Sequence, residues 1–133
     1  MKTIVSILGM VCVMASCATP TVKRFGWVTG LKDHKAEKYR ALHAAPWPAV
    51  NQKIKACHIQ NFSIYEREIM GKKYLFAYLE YTGKNFDEDM KKMAADSETQ
   101  RWWKETDPCQ SPLPDALKKG KIWSDATEIY HLD

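Results

Sequence analysis

A histidine follows a tyrosine by one helical turn in Tyr39-Arg-Ala-Leu-His43, just ahead of Pro46-Trp47-Pro48, and a tandem indole, Trp102-Trp103, stands far along the chain. An imidazole changes charge near neutral pH, and a phenol beside it can orient it or hold a hydroxyl. Indole faces suit the apolar C–H side of a pyranose. The chemistry this set would do is proton transfer on a sugar. Each piece also has a plainer reading. At i and i+4, Tyr39 and His43 share one helix face and equally describe a half-buried aromatic pair lining the core. Trp102 and Trp103 lie about 100° apart around a helix, so they cannot share one face; one packs inward while the other lines a site, or both are ordinary core. Trp47, between two prolines, reads as a staple at a helix break. Met90 and Met93 read as core.

Other chemistries lack their residues. His34, His58 and His131 show no metal-ligand spacing with cysteine or carboxylate, so no zinc site is expected. There is no Gly-x-Ser-x-Gly elbow and no phosphate-cradling glycine loop. The formal charge of +4 is mixed with acids, as in Asp87-Glu88-Asp89-Met-Lys91-Lys92, and no basic stripe carries interleaved aromatics. Nucleic acid is therefore not an expected partner.

Several elements have to position the candidates. Phe25 to Leu31 alternates large and small side chains and predicts a strand. Asp33 is the expected N-cap of a helix that runs to Ala45, where Pro46 stops it. Pro48 opens a second helical piece that aligns Val50, Ile54 and Cys57. His58 to Glu66 and Lys73 to Tyr81 predict two strands around a turn. The second has two apolar faces, Leu75, Ala77, Leu79, Tyr81 on one side and Tyr74, Phe76, Tyr78 on the other. Helices covering one face leave the other to be covered by something else, and a second copy of the sheet is the economical cover. A homodimer is expected on that ground.

Phe86, Met90, Met93 and Ala94 form a helical stripe, and Ser97-Glu-Thr-Gln100 fits a capping box that restarts the helix through the indoles. Asp107-Pro108 ends it, Pro112 to Gly120 reads as loop, and Trp123 to Leu132 as a last strand. The order βαββαβ is the ferredoxin-like split arrangement, an α+β fold. Cys57 and Cys109 are expected as two free thiols.

The N-terminus reads as a targeting segment. Lys2 precedes the apolar run Ile4–Val13, which is short for a membrane span, and Val13-Met-Ala-Ser-Cys17 resembles a bacterial lipoprotein cleavage site. The expected organisation is a signal peptide over 1–16, a lipid-bearing Cys17 with a tether to residue 24, and one domain over 25–133. An ordinary secretory peptide cut near Ala18 is the alternative. The expected location is exported and membrane-anchored through lipid only, with the outer membrane favoured where there are two.

Taken together, Tyr39…His43…Pro46-Trp47-Pro48, Asn61-Phe-Ser-Ile64-Tyr65, Gln100-Arg-Trp102-Trp103 and Glu128-Ile-Tyr-His-Leu132 resemble the L-rhamnose mutarotase family over nearly the whole domain. The resemblance implies a ferredoxin-like fold paired into a dimeric α/β barrel, no cofactor, and a small deoxy sugar as substrate, L-rhamnose or, for the subgroup its ending and Thr106–Gln110 look like, L-fucose. It also implies His43 as the catalytic residue, with Tyr39, Trp102 and Trp103 binding the sugar. A further family tyrosine falls on Phe62, which removes a hydroxyl; Asn61 or His131 is the candidate replacement. The lipid-type signal is a second departure. The implied reaction is anomer interconversion. His43 as imidazolium protonates the ring oxygen, and a partner, Tyr39 through a water or a carboxylate such as Asp107, handles the anomeric hydroxyl. A non-catalytic sugar-binding lipoprotein, or another enzyme on the same barrel, are the rival readings.

Overall fold

The computed structural model describes residues 21–132. The expected signal peptide and the lipid-bearing Cys17 lie outside these residues. The first strand, β1 (Lys23–Leu31), starts two residues earlier than expected, because Lys23 and Arg24 still pair with Tyr81 and Glu80. It is followed by α1 (Ala36–Ala44), α2 (Pro48–Ala56), β2 (Ile59–Ile69), β3 (Lys72–Tyr81), α3 (Phe86–Ala94), α4 (Ser97–Thr106), β4 (Gln110–Ser111), α5 (Pro114–Lys118) and β5 (Ser124–Ala126).

The strands form one antiparallel sheet in the order β2-β3-β1-β4, with β5 also on β1. This is the ferredoxin-like α+β arrangement, with its fourth strand split. β4 pairs with Gly30 and Leu31, while β5 pairs with Gly26 to Val28. The expected last strand, Trp123–Leu132, therefore shrinks to Ser124–Ala126. The strand ends at Ala126, and beyond it Ile129, Tyr130 and Leu132 stand exposed. The loop expected over Pro112–Gly120 holds α5, which Pro114 opens at its first position.

Helix ends differ from expectation by one or two residues. Asp33 does not cap α1. It begins a short 3-10 turn, Asp33–Lys35, and its carboxylate accepts from Lys73 Nζ at 2.8 Å. Asp96 rather than Ser97 caps α4, accepting from the Thr99 amide at 3.0 Å and from its hydroxyl at 2.9 Å. The carboxylate one residue earlier wins the N-cap position. Gln100 then donates to the Ala94 carbonyl instead of closing a capping box. Pro46 ends α1 and Pro48 opens α2, as their missing N–H groups require.

The face of β3 that carries Leu75, Ala77, Leu79 and Tyr81 is buried under the helices. Burying a leucine of this kind contributes about 1.5–3 kcal/mol. Two clusters form on it. Leu31, Ala36, Tyr39, Leu75 and Cys109 pack at one end, and Cys57, Ile59, Leu79, Tyr81 and Met93 at the other. Cys57 and Cys109 are buried free thiols in separate clusters. On the opposite face, Tyr65 and Phe76 are cross-strand partners and both remain exposed. No described helix is long and apolar enough to cross a membrane.

Candidate active site

A cleft of about 880 Å³ opens between the helices and the sheet, bordered by residues of both core clusters. His43 reaches it from the last turn of α1. Its Nδ1 lies 2.9 Å from the Tyr39 carbonyl oxygen. A carbonyl only accepts, so Nδ1 carries the hydrogen, and Nε2 is left as the working nitrogen with no partner among the described residues. The Tyr39 and His43 rings stack with centroids 4.2 Å apart. The edge of Trp102 closes on His43 at 5.2 Å, and Trp47 meets Trp102 at 5.3 Å in the same edge-on manner. The Arg101 guanidinium sits 5.1 Å from the Trp47 ring, so the staple at the helix break also buttresses Trp102.

Both tandem indoles border the cleft. Trp102 is buried beside His43, and Trp103 packs half-buried near Phe25 and Trp27 at the other end. The 100° between them spreads the two rings along the cleft instead of dividing them between core and site. Phe62 lies on its rim, in the irregular stretch of β2 between Gln60 and Ser63. That irregularity turns Asn61 away, and its amide donates to Glu80 at 2.7 Å. His131 sits exposed in the tail. Neither residue lines the cleft.

The electrostatics follow from burial. His43 titrates below the ordinary imidazole range, because desolvation disfavours the cation more than the Tyr39 carbonyl favours it. Desolvation also drives the Tyr39 phenol well up, helped by negative charge at Asp107, so it stays protonated. Asp107, half-buried on the cleft with no partner for its carboxyl among the described residues, is pushed up for the same reason. Arg40 and Glu66 also border the cleft but serve each other, through bonds of 2.8 Å from Nε and 2.6 Å from Nη2. Among the described residues no group of three or more His, Cys, Asp or Glu could hold a metal ion.

Arg40, Glu66, Gln110, Trp27 and Trp123 are cleft residues that the sequence did not single out. Arg40 alone carried a signal, since it stands three residues before His43 and so shares its helix face.

The L-rhamnose mutarotase family model matches residues 24–132 of this chain. The chain belongs to the L-rhamnose mutarotase family. An L-rhamnose mutarotase of Bacillus subtilis is 31% identical over 112 residues, covering 84% of this chain and 100% of the relative. One from Oceanobacillus iheyensis is 29% identical with the same coverage. The solved structure of an L-rhamnose mutarotase from Formosa agariphila superposes with a TM-score of 0.62 at 19% identity, covering 84% of this chain and 99% of that one, a likeness of fold. These relatives have an isomerase-type activity.

Proposed function

We propose that this protein is a mutarotase for L-rhamnose, with L-fucose as a second substrate, and that His43 and Asp107 move the protons. The observation that carries the reading is the His43 ring itself. One nitrogen is fixed on the Tyr39 carbonyl, and the other faces a cleft walled by indoles, with an unpartnered carboxyl on the same cleft.

Opening a hemiacetal ring needs a proton on the endocyclic oxygen and loss of one from the anomeric hydroxyl. His43 Nε2–H, as imidazolium, donates the first, and Asp107 as carboxylate accepts the second. The C1–ring oxygen bond breaks to give the aldehyde, C1–C2 rotates, and the ring closes on the other face with both protons returned. Tyr39 is a poor base with its affinity for the proton raised, so it holds a hydroxyl and stacks on His43. Burial lowers the proton affinity of His43 and raises that of Asp107. The two converge, so passing one proton through the sugar in either direction costs little. General acid–base assistance of about 10²–10⁴-fold suits a reaction that free sugars already undergo slowly.

A second copy covering the outer sheet face fits the exposed Tyr65 and Phe76 and the exposed Ile129, Tyr130 and Leu132. Sedimentation at twice the monomer mass supports that dimer, and monomers at micromolar concentration contradict it. Lipidation at Cys17 and export belong to the same proposal, and Cys17→Ser should release the protein from membranes.

Saturation-transfer NMR across L-rhamnose, L-fucose and other deoxy sugars tests the activity. Faster anomer exchange of L-rhamnose than in buffer is expected. Binding without faster exchange would leave a sugar-binding protein instead.

A further inference from the structure

Gln110 is only 3% exposed, yet its side-chain amide has no hydrogen-bond partner among the described residues. Neither amide atom is itself closed off from solvent, so the little surface Gln110 keeps lies at its polar end. The space it borders is the cleft.

Its backbone fixes where that amide points. Gln110 pairs with Leu31 across β4 and β1. Cross-strand partners project from the same face, so Gln110 shares the helix side of the sheet with Leu31, which packs in the Tyr39 cluster. The short strand is held close to its neighbour. A Cβ at Gly30 would come within 2.6 Å of the Ser111 carbonyl oxygen, so glycine there is what lets the two backbones approach. Three residues upstream, Asp107 lines the same cleft. One rigid segment thus presents a carboxyl and an amide together.

Two other polar residues of the cleft, Arg40 and Glu66, are bound to each other. We propose that Gln110 is the residue by which the cleft recognises a vicinal diol of the sugar ring, one hydroxyl donating to Oε1 and its neighbour accepting from Nε2. An amide offers these two functions side by side in one plane, as adjacent ring hydroxyls require. The role is one of binding and specificity, and it rests on reading the cleft as the sugar site.

Gln110→Met tests it, because methionine has a similar volume and no amide. The variant is expected to melt no lower than the parent, since no internal hydrogen bond is lost. Its affinity for L-rhamnose, followed by NMR titration, should fall about 5- to 10-fold. Among 2-, 3- and 4-deoxy analogues, the parent should disfavour those lacking a contacted hydroxyl, and the variant should bind these and L-rhamnose alike. Unchanged affinity, unchanged discrimination, or a lower melting temperature with sugar binding intact would overturn the assignment. Should the parent bind L-rhamnose without accelerating exchange, the mutarotase reading fails while the affinity comparison still decides on Gln110. Absence of binding to the parent would overturn both.

Discussion

Tyr81, His58 and Asp89 meet around one carboxylate, whereas Tyr39, His43 and Asp107 surround open space. The residue types are the same in both sets. Asp89 is buried, accepts from the Tyr81 hydroxyl at 2.7 Å and His58 Nδ1 at 2.8 Å through one oxygen, and from Lys92 at 2.8 Å through the other. Lys92 and Tyr81 hold it far below the usual carboxylate range. Burial and that carboxylate push the Tyr81 phenol up to about 12. His58 sits at φ +61 just past the end of α2, where a left-handed residue commonly ends a helix. This set joins α2, β3 and α3. Asp107 has no such company and moves the opposite way, toward neutrality. A titratable group whose partners are all inside the protein serves the fold. One whose partners are missing faces whatever fills the cavity.

The contrast can be broken first at its carboxylates. Asp107→Asn keeps the shape and removes the proton acceptor, so anomer exchange should fall about 100-fold with the melting temperature unchanged. Asp89→Asn should do the reverse. Exchange per folded molecule stays, and the melting temperature drops. A depressed folded pKa contributes stability above the unfolded value of about 3.9, and that contribution is lost as pH falls below it. The stability gap between parent and Asp89→Asn should therefore be full at pH 6 and close toward pH 2. Thermal melts against pH check both statements.

A smaller effect concerns the pH profile. The productive form carries imidazolium at His43 and carboxylate at Asp107, so kcat/KM should be bell-shaped. Lowering of the His43 pKa places the alkaline limb below the ordinary imidazole value of about 6.5, and raising of the Asp107 pKa places the acid limb above about 3.9. An alkaline limb above neutrality would show that His43 is not the group titrating.

Local periodicity made much of this legible. The i, i+4 spacing put Tyr39 and His43 on one face, Pro46 and Pro48 broke the helix beside them, and the Leu75, Ala77, Leu79, Tyr81 alternation marked the buried face of its strand. What escaped depends on distance in the sequence. Gln110 becomes a cleft residue only because β4 pairs with Leu31, and Glu66 only because Arg40 reaches it across the gap between α1 and β2. Asn61 was expected to replace the hydroxyl absent at Phe62, but the irregular pairing of β2 between Gln60 and Ser63 aims it at Glu80. Such a bulge leaves no periodic trace. The N-cap of α4 missed by one residue, since Asp96 and Ser97 are both favoured N-cap residues and only geometry ranks them.

Replacement of His43 by alanine reaches the central claim most directly. With the fold and L-rhamnose binding confirmed by circular dichroism and NMR titration, saturation transfer should show anomer exchange reduced to the rate in buffer alone. Exchange retained at the parent's rate would contradict the assignment of the proton shuttle to that imidazole.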